Sequence, residues 1–345
     1  MGSGISIGTS ITGVALGVLL CAAVLAPRAS ADELHKTDGT VVYGLLESEA
    51  RSSYKFLEVG GKRAKTFKKK DVARVVLTFE LPDFVYDDPE WSDEMVEARQ
   101  AESFHDDWGE VEILRSEHYI VFTNSSAGKR YLDTMEDIYD KFREAFPFDE
   151  PQGASLMPVF LFKTNDHYYQ FYADITGVSL ETARKSGGHA WRDYYATYYD
   201  APKAPVHYHE GAHQLVHSRL HIRGGGSWFQ EGMAVYFEGT VFPGEDPAKG
   251  MGAEVKSGNY TRLREFFALP SLLYSSSAVQ DSTLATRRYQ QAGALMKYLK
   301  EGPHADKYDA FLAAIKAGES LENVFGQIYQ LSIEELDEAF VEYYS

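Results

Sequence analysis

From Leu34 to about Leu77 apolar and polar residues alternate in short runs, at Thr40–Leu46, Tyr54–Val59, Ala64–Phe67 and Val72–Leu77, divided by Asp38-Gly39 and Gly60-Gly61. Alternation with period two, interrupted by glycine turns, predicts β-strands, and their number and shortness suggest a small barrel or a curled sheet. Lys68, Lys69 and Lys70 read as a solvated turn ahead of Asp71. Residues 81–110 are acidic, carry Pro82 and Pro89, and predict a linker holding one short helix near Asp93–Ser103.

Beyond the linker the period changes. His118–Thr123 and Leu156–Phe162 read as strands, while Tyr131, Met135, Ile138 and Phe142 recur at helical spacing. Asp166–Ala173 predicts a further helix, and the aromatic segment Ala190–Tyr199 a strand that Pro202 and Pro205 end just before a new helix. From Tyr289 onward the chain reads as helical. Tyr308, Phe311, Leu312 and Ile315 form one stripe, Leu321, Val324, Phe325 and Ile328 another, and Ser332 with Glu335 predicts a capping box. These stripes are core packing. The fold class expected is α+β: a small β barrel-like domain at 32–80, the acidic linker at 81–110, and a larger mixed domain at 111–345.

The N-terminus adds a separate signal. Gly8–Ala26 is uncharged and apolar and is followed by Ala29, Ser30 and Ala31, the pattern of a signal peptide covering residues 1–31 with an A-x-A cleavage site. No Lys or Arg precedes the apolar run, and its length of about 19 residues also suits a membrane anchor left uncleaved. The expectation is export, periplasmic or extracellular, with membrane attachment as the alternative. Cys21, the single cysteine, lies inside the run, so the processed chain has no thiol to oxidise.

Composition narrows the partners. With 44% hydrophobic and 14% aromatic residues the chain can bury a sizeable core, which excludes a disordered class. A net charge of −17 repels phosphate backbones, so nucleic acid is not an expected partner.

The candidate chemistry sits at His209-Glu210-Gly211-Ala212-His213, an HExxH sequence. Side chains four apart lie on one helical face, so both imidazoles can address one metal ion with Glu210 beside them. A histidine-bearing surface helix would have the same spacing. After the Gly224-Gly225-Gly226 break comes Trp228-Phe229-Gln230-Glu231-Gly232-Met233-Ala234-Val235-Tyr236-Phe237-Glu238. A catalytic zinc needs three protein ligands and one open position, and Glu231 can be the third. Glu238, two turns on, can accept the second ring N–H of a ligand histidine, or is an ordinary exposed acid. A third histidine in the arrangement HExxHxxGxxH is excluded, because that position is Arg219.

The HExxH helix followed by W-x-x-E-G-x-A-x-Y-x-E resembles the gluzincin zinc metallopeptidases, over roughly Ser116–Tyr344, and is most similar to exported bacterial proteins of a peptidase-MA-like, domain-of-unknown-function group. The resemblance implies a mixed sheet whose edge strand lines the cleft, two metal-bearing helices and a helical C-terminal lobe. It implies zinc on His209, His213 and Glu231, Glu210 as general base, and a peptide or protein substrate. It also points to Tyr289, opening a helix at Tyr289-Gln290-Gln291-Ala292-Gly293, as the donor to the oxyanion, a core tyrosine being the alternative. The G-x-M-E-N segment of the aminopeptidase branch is missing, so N-terminal trimming is not implied. His217 and His221 read as a solvated helix end, and His207 and the tyrosines at 194, 195, 198 and 199 as structural. One competing class is a metal-binding or substrate-binding protein whose peptidase fold no longer turns over; another is a cell-envelope interaction protein in which the β domain works and the zinc is structural, signalled by a fourth metal ligand from His217 or His221.

Overall fold

The computed structural model describes residues 32–345 except 51, 59–62, 77–90, 152–153, 192–193, 199–200, 202, 223, 270–271 and 273–281. Residues 1–31, expected to be a signal peptide, therefore lie outside the described residues. Among the described residues no helix is long and apolar enough to cross a membrane.

The first five strands, β1 (Asp32–Lys36), β2 (Val41–Glu49), β3 (Ser53–Glu58), β4 (Lys65–Lys68) and β5 (Val72–Val76), form one antiparallel sheet in the order β4-β3-β2-β1-β5. It is not a barrel. Closure needs every strand paired on both sides, whereas β4 pairs with β3 and β5 with β1, leaving two open edges among the described residues. The alternation reveals strands but not their neighbours: β1, which the sequence pattern did not separate, lies between β2 and a strand some forty residues away. Leu34 and Phe56 are fully buried on this sheet, with Phe67 packed edge-on against Phe56. Lys69–Asp71 form the expected solvated turn.

Helix α1 (Asp93–Ser103), capped by Ser92, matches the linker helix. A second sheet follows, from β6 (Glu112–Arg115) and β7 (Tyr119–Thr123), then β8 (Met157–Phe162) after helix α2 (Gly128–Ala145). Helices α3 (Asn165–Thr176) and α4 (Leu180–Ala183) lead to β9 (Gly188–Trp191) and β10 (Tyr194–Tyr198). The order is β6-β7-β8-β10-β9, with β7, β8 and β10 parallel and the two flanking strands antiparallel. The aromatic segment expected as one strand, Ala190–Tyr199, thus takes in the end of β9 and all of β10, two arms of an antiparallel pair, and β9 is the edge of the sheet among the described residues. Every residue of β7 and β8 is buried, as central strands covered on both faces must be.

Alternate side chains of these strands feed two cores. Ile120, Phe122, Phe160, Phe162 and Tyr194 pack toward α3, while Tyr119, Val121, Val159, Leu161 and Tyr195 face a larger helical core. That core includes α2, α5 (Pro205–Ser218), α6 (Ser227–Val241) and α9 (Ser282–Glu301), and it takes in the short helices α7 (Met251–Ser257) and α8 (Leu263–Phe267). The chain ends with α10 (Tyr308–Lys316), α11 (Leu321–Val324) continued by a π-helical turn at Phe325–Tyr329, and α12 (Ile333–Tyr344), which starts with the predicted Ser332–Glu335 capping box. The molecule is a mixed α/β protein with a mixed sheet.

Candidate metal centre

Helix α5 starts with Pro205 in its first turn, where the absent N–H costs nothing, and its 3.6-residue repeat brings His209 and His213 to one face. Gly225 and Gly226, at φ +88° and +79°, then turn the chain into α6. A Cβ on Gly225 would lie 2.6 Å from the Phe229 ring, so this reversal requires glycine. The reversal lays α6 against α5 and brings Glu231 to the histidines.

His209 Nε2 lies 3.3 Å and His213 Nε2 3.4 Å from the same Glu231 oxygen, Oε2. One ligand atom from each of the three residues falls within 4.8 Å of the other two. These separations are long for charge-assisted hydrogen bonds, which run about 2.7–2.9 Å. They match the edge of a tetrahedron around a metal ion: bonds of about 2.0–2.1 Å put neighbouring ligand atoms about 3.3–3.4 Å apart. The donor set of two imidazoles and one carboxylate therefore fits a tetrahedral divalent ion. Among the described residues no fourth histidine, cysteine or carboxylate joins the group.

Glu238 lies on the far side of His209, its Oε2 3.2 Å from Nδ1. If Nδ1 carries the proton, Nε2 keeps its lone pair for a metal. Burial depresses the His209 pKa, but the carboxylates of Glu231 and Glu238 outweigh it and push it up to about 10. Burial likewise disfavours a charged Glu231, yet the two imidazoles hold it well below the usual carboxylate range. A metal cation would replace the proton that this pair of acids attracts.

Glu210 points to the edge strand. The backbone N–H of Ala190 in β9 donates to its Oε2 at 2.9 Å, which leaves the other carboxylate oxygen to act on a water. Desolvation raises the Glu210 pKa, against the pull of the two histidines and of the Ala190 amide, in the direction a general base needs. Sequence reasoning missed Ala190, since a backbone donor carries no side-chain signature.

Tyr289 does not open its helix. It sits in the third turn of α9, half-buried, with its ring centroid 6.0 Å from that of His209. Close approach of α9 to α6 brings it there: a Cβ on Gly232 would lie 2.8 Å from the Ala292 carbonyl oxygen, and one on Gly293 2.5 Å from Val235 Cγ1. The glycine one turn after Tyr289 thus acts in packing.

Arg219 lies at the end of α5, nearly buried, where its guanidinium pairs with Glu150 and lies over the Tyr139 ring. His217 and His221 are half-buried instead of solvated, and His221 adopts φ 54° as the helix ends. Neither belongs to the metal-ligand group. No protein-family model matches the chain, and a search of curated proteins gives no match.

Proposed function

We propose that the chain is an exported zinc metallopeptidase of the gluzincin type, with His209, His213 and Glu231 as ligands, and that it hydrolyses a peptide or protein substrate. The observation that carries this reading is the pair of 3.3 and 3.4 Å separations from two imidazole nitrogens to one carboxylate oxygen, next to a glutamate whose second oxygen is unclaimed by the edge strand. Residues 1–31 are the proposed signal peptide, 32–80 the small β domain and 111–345 the peptidase domain.

When bound, zinc polarises a carbonyl and lowers the pKa of a coordinated water to about 7. Glu210 takes the proton from the attacking water and hands it to the leaving amine. The Ala190 N–H holds one carboxylate oxygen still while the other does this. Tyr289, beside His209, donates its hydroxyl toward the carbonyl oxygen as negative charge builds there. Glu238 keeps the His209 ring in one tautomer. A carboxylate as third ligand leaves the corner that a closed structural site would fill, which favours the hydrolytic reading over a purely structural metal.

The test pairs the purified mature chain with Glu210→Gln. Both should bind equimolar zinc by elemental analysis, and only the parent should cleave a peptide library, the variant being slower by roughly 10²–10⁴-fold. Absence of zinc from both proteins, or equal cleavage by both, would overturn the proposal.

A further inference from the structure

Behind Glu210 a further histidine is enclosed in the core. His207, 1% exposed, lies in the first turn of α5 between Tyr131 of α2 and Tyr195 of β10, both fully buried. Its Nε2 faces the Ala201 carbonyl oxygen at 2.7 Å, so that nitrogen carries the proton and Nδ1 is an acceptor. The Tyr195 hydroxyl donates to Nδ1 at 2.7 Å. The Tyr131 hydroxyl lies 3.3 Å from the same nitrogen. The result is a buried network centred on His207, joining Tyr131 of a helix, Tyr195 of a strand, the metal-bearing helix and the Ala201 carbonyl of the loop that enters it.

This network meets the site at one place. Tyr195 is the register partner of Ala190 in the β9–β10 hairpin, and Ala190 is the residue whose N–H holds Glu210. The Tyr195 ring reaches His207 by crossing Gly188, where a Cβ would lie 3.0 Å from Cε2 and 3.1 Å from the hydroxyl. His207 is three residues before Glu210 on α5. The hydrogen bonds therefore fix the hairpin against the helix at the level where the edge-strand amide meets the carboxylate. An apolar pair would fill the same space but would allow the strand to slide, since packing alone lacks the directionality of a satisfied buried network.

We propose that Tyr195 and His207 are positioning residues that act through the Ala190–Glu210 contact, so that losing them slows turnover without weakening metal or substrate binding. The kinetic part rests on the hydrolytic reading; the geometric part does not. The test uses the full chain carrying Tyr195→Phe, which keeps the ring and deletes the hydroxyl. Tyr131→Phe, which removes the other hydroxyl at His207 Nδ1, serves as a second variant should the first fold poorly. Amide hydrogen exchange at Ala190 should accelerate about tenfold as its charge-assisted bond loosens. The acceleration should disappear in a Glu210→Ala background, where that acceptor is already gone. In the zinc-loaded enzyme kcat should fall while KM and zinc content stay at parent values. Unchanged Ala190 exchange, or an acceleration that persists undiminished without Glu210, would overturn the proposal. A chain that cleaves no peptide yet shows the exchange pattern would refute only the hydrolytic reading.

Discussion

Gly232→Ala puts a methyl group into a close backbone contact between α6 and α9. The new Cβ would lie 2.8 Å from the Ala292 carbonyl oxygen and 3.3 Å from its carbon, whereas ordinary contact begins at 3.4 Å. The obstacle is backbone, so no rotamer change relieves it, and α9 must retreat by about 0.6 Å at that point. Alanine gains about 1 kcal/mol over glycine as a helix former. Overpacking costs about 1–3 kcal/mol, leaving a net loss of roughly 0–2 kcal/mol. For a domain of this size that lowers the melting temperature by no more than about 8 °C. The functional loss should be larger in proportion, because Tyr289 lies three residues before Ala292 on α9 and moves away from His209. A misplacement of this order costs on the order of tenfold in turnover, a 1 Å error being worth about 10²-fold. Gly326→Ala is the control, since nothing lies within 4 Å of a Cβ there and it should be neutral or stabilising by up to about 1 kcal/mol. Calorimetry, zinc content and peptide kinetics on the two variants provide the comparison. If Gly232→Ala melts with Gly326→Ala and turns over at the parental rate, the α6–α9 contact does not set the position of Tyr289.

Two other perturbations report on separate parts of the structure. Glu238→Ala removes the acceptor at His209 Nδ1 and should weaken zinc binding by roughly 10–100-fold; chelator competition showing parental affinity would deny Glu238 that role. His189, buried between the Tyr168 and Tyr194 hydroxyls, has its pKa lowered by burial to about 3. It is neutral when folded and protonates near 6.5 when unfolded, so its contribution is fully present above pH 6.5. It is then lost by about 1.4 kcal/mol per pH unit as pH falls from 6.5 toward 3. His189→Gln, which can still bond both hydroxyls, should flatten the dependence of denaturant stability on pH in that window. An unchanged slope would show that His189 is not the group taking up the proton.

The local elements were legible because each rests on a local rule. The apolar run at Met157–Phe162, the Tyr131–Phe142 stripe and the Ser332 capping box have their period or their partner within a few residues. The same holds for the metal-ligand candidates, since four residues make one helical turn and Glu231 follows an obvious glycine break. What had no such signal was misread or unseen: the open sheet in place of a barrel, the hairpin in place of one strand, and the start of α9 ahead of Tyr289.

Which side chains are available and which share a helix face follows from local order along the chain, because helix and strand periods are properties of neighbouring residues. That Glu231 reaches both imidazoles, that Ala190 holds Glu210, that Arg219 turns away to Glu150, and that Tyr195 and His207 are joined in the core came from packing between distant elements. Each of these depends on how far apart two separate elements pack. That spacing is set by glycines and buried hydrogen bonds acting across the fold, whose partners cannot be read from their own surroundings in the chain.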